Sequence, residues 1–271
     1  MSRPSLLQGH NGPLGSGTDQ SAGWASAVVL IDNSGVGRSQ GQVARTFADW
    51  ARNYVDVMEA IGIRRADVMG FSMGGCVAQM VALNAPSLVP SLILCGTVPS
   101  IGDGVVKAPL GPFNKLKAAV TVEEHRSAFL DAFFHTSERS QAAGMAAWDR
   151  ITRARSDRSD HVDAQNAHRQ AVSFAKFMDP KQAADASYHR FHELRLPVLI
   201  ANGCNDLLLP TDNSILMWKK LGHANAQLHL YPDSGHGFLF QYATVFSGLI
   251  NEFLDNVAEQ TSRLQGSEMY A

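Results

Sequence analysis

The first 98 residues alternate short apolar runs with segments whose apolar residues recur at helical spacing, and that rhythm admits few folds. Ala27-Val28-Val29-Leu30-Ile31 is an unbroken apolar run ending in Asp32-Asn33-Ser34-Gly35, which predicts a buried strand followed by a turn. Phe47, Trp50, Tyr54, Val57 or Met58, and Ile61 then repeat at the helix period, with Thr46 as N-cap and Gly62 as the stop. Ala66 to Phe71 and Leu92 to Cys95 predict two further strands, separated by a helix over Met73 to Leu83 that is halted near Pro86. Pro4 to Leu7 reads as a short strand running into the polar, glycine-containing Gln8-Gly9-His10-Asn11-Gly12. Parallel neighbours need a crossover between them, so strand, helix, strand, helix, strand predicts a parallel sheet.

The rhythm breaks between about Val98 and Leu194, where no strand pattern is found. Helical patterns there carry Phe129, Phe133, Phe134, Met145 and Trp148, then Val172, Phe174, Phe177 and Met178. Strands return at Pro197 to Ala201 and Gln227 to Tyr231, and a helix from about Leu239 to Val257 closes the chain. The prediction is an α/β core made of residues 1–98 and 195–271, interrupted by a helical cap over 99–194. Such insertions sit where pockets form, beyond the C-terminal ends of the strands. With 271 residues, 45% hydrophobic and 18% charged, the chain has the composition of a soluble globular protein. A net charge of −2 gives no electrostatic reason to bind nucleic acid or an anionic membrane. No apolar run approaches the about 20 residues of a spanning helix, and Met1 to His10 has no signal-peptide pattern. Cys76, Cys95 and Cys204 are odd in number and lie in apolar stretches, the pattern of reduced thiols in a cytoplasmic protein.

Gly70-Phe71-Ser72-Met73-Gly74 matches Gly-x-Ser-x-Gly, and it directly follows one predicted strand and opens one predicted helix. A serine on so sharp a turn has a strained backbone that lifts its hydroxyl clear of the sheet, and glycines flanking it leave the room. A serine hydroxyl is a poor nucleophile until a base takes its proton. Of ten histidines, His236 alone has a fitting setting, in Tyr231-Pro232-Asp233-Ser234-Gly235-His236-Gly237 between the last strand and the last helix. His125, His135, His161, His168, His189 and His192 are scattered through the insertion without ligand spacing. A carboxylate must hold the base in one tautomer. Asp206 is the candidate, emerging beyond the strand Pro197 to Ala201; Asp103 is the runner-up, and Asp233 is assigned to a turn bond. The order Ser72, Asp206, His236 is nucleophile, acid, base, the order of α/β-hydrolases.

Gly70 to Gly75, the Asn202-Gly203-Cys204-Asn205-Asp206 turn and Pro232-Asp233-Ser234-Gly235-His236-Gly237 together resemble an α/β-hydrolase-fold enzyme. Asp32-Asn33-Ser34-Gly35-Val36-Gly37-Arg38-Ser39 is similar to that family's Asp-x-x-Gly-x-Gly-x-Ser turn after its fourth strand. The resemblance covers nearly the whole chain outside the insertion. It implies a mostly parallel sheet flanked by helices and a cofactor-free acyl hydrolase that uses water. By position, the backbone N–H groups of His10 and Met73 would form the oxyanion hole. Two departures stand out. The family's His-Gly at the oxyanion turn is here Gln8-Gly9, followed by His10. The chain also begins almost at the family's third strand, so either the first strand hairpin is absent from the sheet or the sequence lacks its native start.

A cap rich in Phe, Met and Trp favours a small to medium apolar substrate, and a lidded pocket favours an ester, thioester or lactone over a peptide. The same three residues can serve C–C bond hydrolysis or perhydrolysis. Gly35-Val36-Gly37-Arg38-Ser39-Gln40-Gly41 after a strand also permits a dinucleotide loop, but Gln40 to Arg45 puts no helix N-terminus behind it, and Asp56 falls within a helix. A non-catalytic binder of an apolar ligand is the third reading. The mixed-charge run from Asp149 to Asp163 reads as a solvated helix face, Cys76 and Cys95 as core, and no Cys/His spacing fits zinc. Oligomeric state is not encoded in any motif.

Overall fold

The computed structural model describes residues 5–8, 28–153 and 162–268, and it builds them around one sheet. The strands are β1 (Ser5–Gln8), β2 (Val28–Ile31), β3 (Asp67–Phe71), β4 (Leu92–Cys95), β5 (Val198–Gly203) and β6 (Gln227–Tyr231). They lie in the order β2-β1-β3-β4-β5-β6, and every pair is parallel. Strand order turns back at β1, so the crevice beyond the ends of β1 and β3 is a topological switch point, where such sheets bind ligands.

Crossover helices explain the parallel pairing. α1 (Phe47–Ala60) joins β2 to β3 and α2 (Met73–Asn84) joins β3 to β4. Thr46 caps α1 as the sequence predicts, accepting from the Asp49 N–H at 3.1 Å. Gly62 ends it in the left-handed region (φ 75) with a Schellman pair, Gly62 N–H to Glu59 carbonyl and Ile63 N–H to Met58 carbonyl. Phe47, Trp50, Tyr54 and Met58 are buried, whereas Ile61, expected on the apolar stripe, is exposed because the helix has ended there.

Alternate residues of the central strands feed two apolar layers. Leu92 and Leu94 pack with Val68, Val198 and Ile200 against α1 and α2. Ile93 and Cys95 pack with Met69, Phe71, Leu199 and Ala201 on the opposite face. The prediction for β2 needs correction: Leu30 is 43% exposed and its neighbours are half-buried. An unbroken apolar run implies burial on both faces, but β2 is at the edge of the described sheet.

Five α-helices occupy the described part of the segment between β4 and β5: α3 (Leu110–Ala118), α4 (Val122–Phe133), α5 (Glu138–Arg153), α6 (Ala164–Phe177) and α7 (Ser187–Arg190). Phe129, Phe133, Phe134, Trp148 and Phe177 are buried, while Met145 faces out. The mixed-charge run is not one helix face: Asp149 to Arg153 end α5, Asp163 caps α6 through the Asn166 N–H, and 154–161 lie outside the described residues, His161 among them. After β5 come α8 (Thr211–Lys220), then β6, α9 (Phe238–Gln241) and α10 (Ala243–Glu268). The single closing helix of the sequence reading is thus broken at Tyr242 and runs on past Val257. None of the described helices is long and apolar enough to cross a membrane.

Candidate active site

Ser72 links β3 to α2 with φ 57 and ψ −128, a conformation that costs a non-glycine residue roughly 1–3 kcal/mol. The surroundings over-determine it. Its N–H donates to the Cys95 carbonyl at 3.0 Å, its carbonyl accepts from Gly75 N–H at 2.9 Å and from the Thr97 hydroxyl at 2.8 Å. The glycines have identifiable reasons. A Cβ on Gly70 would lie 2.3 Å from the Gly74 carbonyl oxygen, and one on Gly75 would lie 2.5 Å from Thr97 Oγ1. The first turn of α2 can pack this closely onto β3 and onto the segment after β4 only if both lack side chains. Met73 is the first residue of α2, so its N–H belongs to the group that no preceding helical turn can satisfy.

Asp206 and His236 follow β5 and β6, whose register sets Gly203 against Tyr231. The two loops are stitched together by Cys204 N–H to Tyr231 carbonyl at 2.9 Å and Asn205 N–H to Ser234 carbonyl at 3.0 Å. Gly203 permits the approach: a Cβ there would lie 2.2 Å from the Gly235 carbonyl oxygen. Across this seam His236 Nδ1 lies 2.7 Å from Asp206 Oδ2, with side chains 1% and 0% exposed. The other carboxylate oxygen accepts from the N–H groups of Leu208 and Leu209, each at 2.8 Å. A carboxylate held by two amides and facing an imidazole fixes the proton on Nδ1 and leaves Nε2 as the acceptor.

His236 is brought to the Ser72 turn by packing. Its ring lies 4.7 Å from that of Phe71, the residue before Ser72, and 4.9 Å edge-on from that of Phe133 in α4. Gly96, which follows the carbonyl that holds Ser72, would carry a Cβ 3.3 Å from His236 Nδ1. Phe71, Gly96 and Phe133 were not distinguishable in the sequence, since each reads as ordinary core or turn. Gln8 ends β1 in register with Gly70, but His10 lies outside the described residues.

The other candidates separate clearly. Asp103 is exposed, and its carbonyl accepts from the Tyr188 hydroxyl, so the runner-up acid is not the partner of His236. Asp233 departs from its expected turn bond: its carboxylate reaches Ser137 Oγ at 2.8 Å and His135 Nδ1 at 3.0 Å. Cys76 and Cys95 are buried as expected, and burial pushes the Cys76 thiol from 9.0 up to about 12 and raises Cys95 as well. In the glycine loop after β2, a Cβ on Gly35 would meet Asn166 Nδ2 of α6 at 2.9 Å, and Asn166 donates to the Gly35 carbonyl at 3.0 Å. Its glycine thus admits a side chain of α6, and α1 starts only at Phe47. No cluster of three or more His, Cys, Asp or Glu that could hold a metal ion occurs among the described residues.

This architecture defines a hydrolase class, and the alpha/beta hydrolase fold family matches residues 25–242; the chain belongs to that family. Among curated relatives, the 2-hydroxy-6-oxononadienedioate/2-hydroxy-6-oxononatrienedioate hydrolase of Paraburkholderia phymatum is 28% identical over 262 residues, covering 92% of this chain and 85% of its own. The Burkholderia vietnamiensis hydrolase of the same name is 30% identical over 237 residues, covering 84% and 76%. Among solved structures, an alpha/beta hydrolase fold protein from Chitinophaga pinensis superposes with TM-score 0.78 at 27% identity, over 94% of this chain and 90% of its own. A meta-cleavage product hydrolase from Pseudomonas fluorescens IP01 shares the fold at TM-score 0.66 and 19% identity, over 94% and 91%.

Proposed function

We propose that the chain is a serine hydrolase of small apolar acyl compounds, in which Ser72, His236 and Asp206 act as one unit and residues 99–194 form a cap. The observation that carries this reading is the buried 2.7 Å pair of His236 and Asp206, its imidazole packed on Phe71, the residue that precedes a serine at φ 57. Nε2 of His236 takes the proton as Ser72 Oγ attacks the carbonyl carbon, and Asp206 stabilises the imidazolium that forms. The N–H of Met73, and by the family resemblance that of His10, bind the oxyanion; one such donor is worth about 10²–10³ in rate. The imidazolium protonates the leaving group, and water attacks the acyl-enzyme by the same route in reverse.

Phe71 and Phe133 flank the imidazole, which favours an apolar ester, thioester or lactone. C–C bond hydrolysis is the second reading, and what favours it is the name shared by the curated relatives. Their substrates are dicarboxylates by name, and a dianion asks for cationic partners. A fluorophosphonate probe should add mass at Ser72 in the wild type and none in Ser72→Ala. Profiling against acyl esters of graded chain length, lactones and diketones separates the two readings: ester turnover with inert diketones supports the first, the reverse the second.

A further inference from the structure

The insertion is tied to the histidine loop by contacts that the proton relay does not use. Asp233, three residues before His236, has a left-handed backbone (φ 47) that L side chains rarely adopt. Its carboxylate leaves its own turn for the insertion, accepting from Ser137 Oγ at 2.8 Å and lying 3.0 Å from His135 Nδ1. Its carbonyl accepts from Gln241 Nε2 at 2.9 Å, and Gln241 Oε1 accepts from Ser140 Oγ, also at 2.9 Å. Beyond His236, the Gly237 N–H donates to the Phe133 carbonyl at 2.7 Å. The approach is close enough that a Cβ on Gly235 would lie 2.9 Å, and one on Gly237 3.0 Å, from that Phe133 oxygen. The Phe133 ring then meets the imidazole edge-on. Residues 133–140 therefore grip the loop on both sides of the base.

We propose that Asp233 is a positioning residue: with the Phe133 carbonyl it clamps the 233–237 loop to the insertion and so sets the angle of the His236 imidazole. The insertion then contributes to turnover as well as to enclosing substrate. This inference rests on the proton relay proposed above. Asp206 fixes one ring nitrogen and Phe71 and Phe133 pack on the ring, but the loop backbone that carries the side chain could still shift it as a whole. The clamp removes that freedom, and misplacement of a base by about 1 Å can cost about 10²-fold in rate.

The test uses p-nitrophenyl butyrate turnover together with the rate of fluorophosphonate labelling, which reads activation of the serine even where the ester is turned over poorly. Asp233→Ala should lower kcat and the labelling rate together by about 10- to 100-fold, with KM within about twofold. Asp233→Asn keeps an acceptor for Ser137 and tolerates the left-handed backbone, so it should stay within about threefold of wild type. His135→Ala, at a half-exposed position that should fold, is expected to fall about 3- to 10-fold. The double variant should be no slower than Asp233→Ala alone. A rise in KM at unchanged kcat, or a loss of thermal stability with normal labelling, would overturn the inference, because either outcome marks a merely structural contact. If Ser72→Ala abolishes labelling while Asp233→Ala and His135→Ala label normally, the clamp fails and the relay stands. Turnover that survives in Ser72→Ala overturns the relay, and the clamp with it.

Discussion

Each member of the proposed relay is held by a different physical device, so its loss should read differently. Ser72→Ala removes the attacking oxygen but no packing, and should lower kcat/KM by about 10⁴-fold or more with the melting temperature preserved. Asp206→Asn keeps the volume and loses the acceptor that fixes the tautomer; the expected fall is again about 10⁴-fold. Circular dichroism alongside esterase kinetics checks both, and near-normal turnover in either would refute the assignment. Gly70 fails for a different reason. The atom its Cβ would strike, 2.3 Å away, is a backbone oxygen of α2 that cannot swing aside. Gly70→Ala should therefore cost about 3 kcal/mol in urea unfolding and disturb the serine turn besides.

Among the elements, α1 offers the cleanest separation of cap from backbone effects. Thr46→Ala removes the acceptor for the Asp49 N–H and should cost about 1 kcal/mol. Gly62→Ala meets no atom within 4 Å, so its cost is the left-handed backbone alone, about 1–2 kcal/mol. Urea midpoints of the two variants and their double should add, since the helix ends share no partner. The pattern of apolar residues located this helix because its period repeats over four turns. It misjudged Ile61 because a period does not say where a Schellman turn takes over.

For the whole molecule, the sheet's two covered faces decide which thiols react. Cys204 is exposed while Cys76 and Cys95 are enclosed. Titration with a disulfide reagent at pH 8 should find one fast thiol in the native protein and three after denaturation. The Cys76 thiol is held from 9.0 up to about 12 by burial, so the folded state resists its ionisation. Its contribution to stability is fully present below pH 9.0 and is lost as pH rises toward about 12, because the unfolded chain releases the proton first. Denaturant midpoints measured between those values should fall with pH, and less so in Cys76→Ala once its cavity cost is subtracted.

The strand–helix rhythm, the serine turn and the order of Ser72, Asp206 and His236 could be read from the chain because each is local: a period, a glycine spacing, a loop between two elements. Asp206 and Asp103 each follow a strand and lie between Ser72 and His236, so local pattern ranked them without deciding; the fold sets Asp206 against His236. The exposure of Leu30, the partners of Asp233 and the place of Phe133 beside the imidazole could not be read that way. Those depend on which strand lies at an edge and on which residues between β4 and β5 come to rest against a loop about 100 positions away. Short-range patterning carries no record of contacts at that distance; only packing the helices onto the sheet brings such residues together.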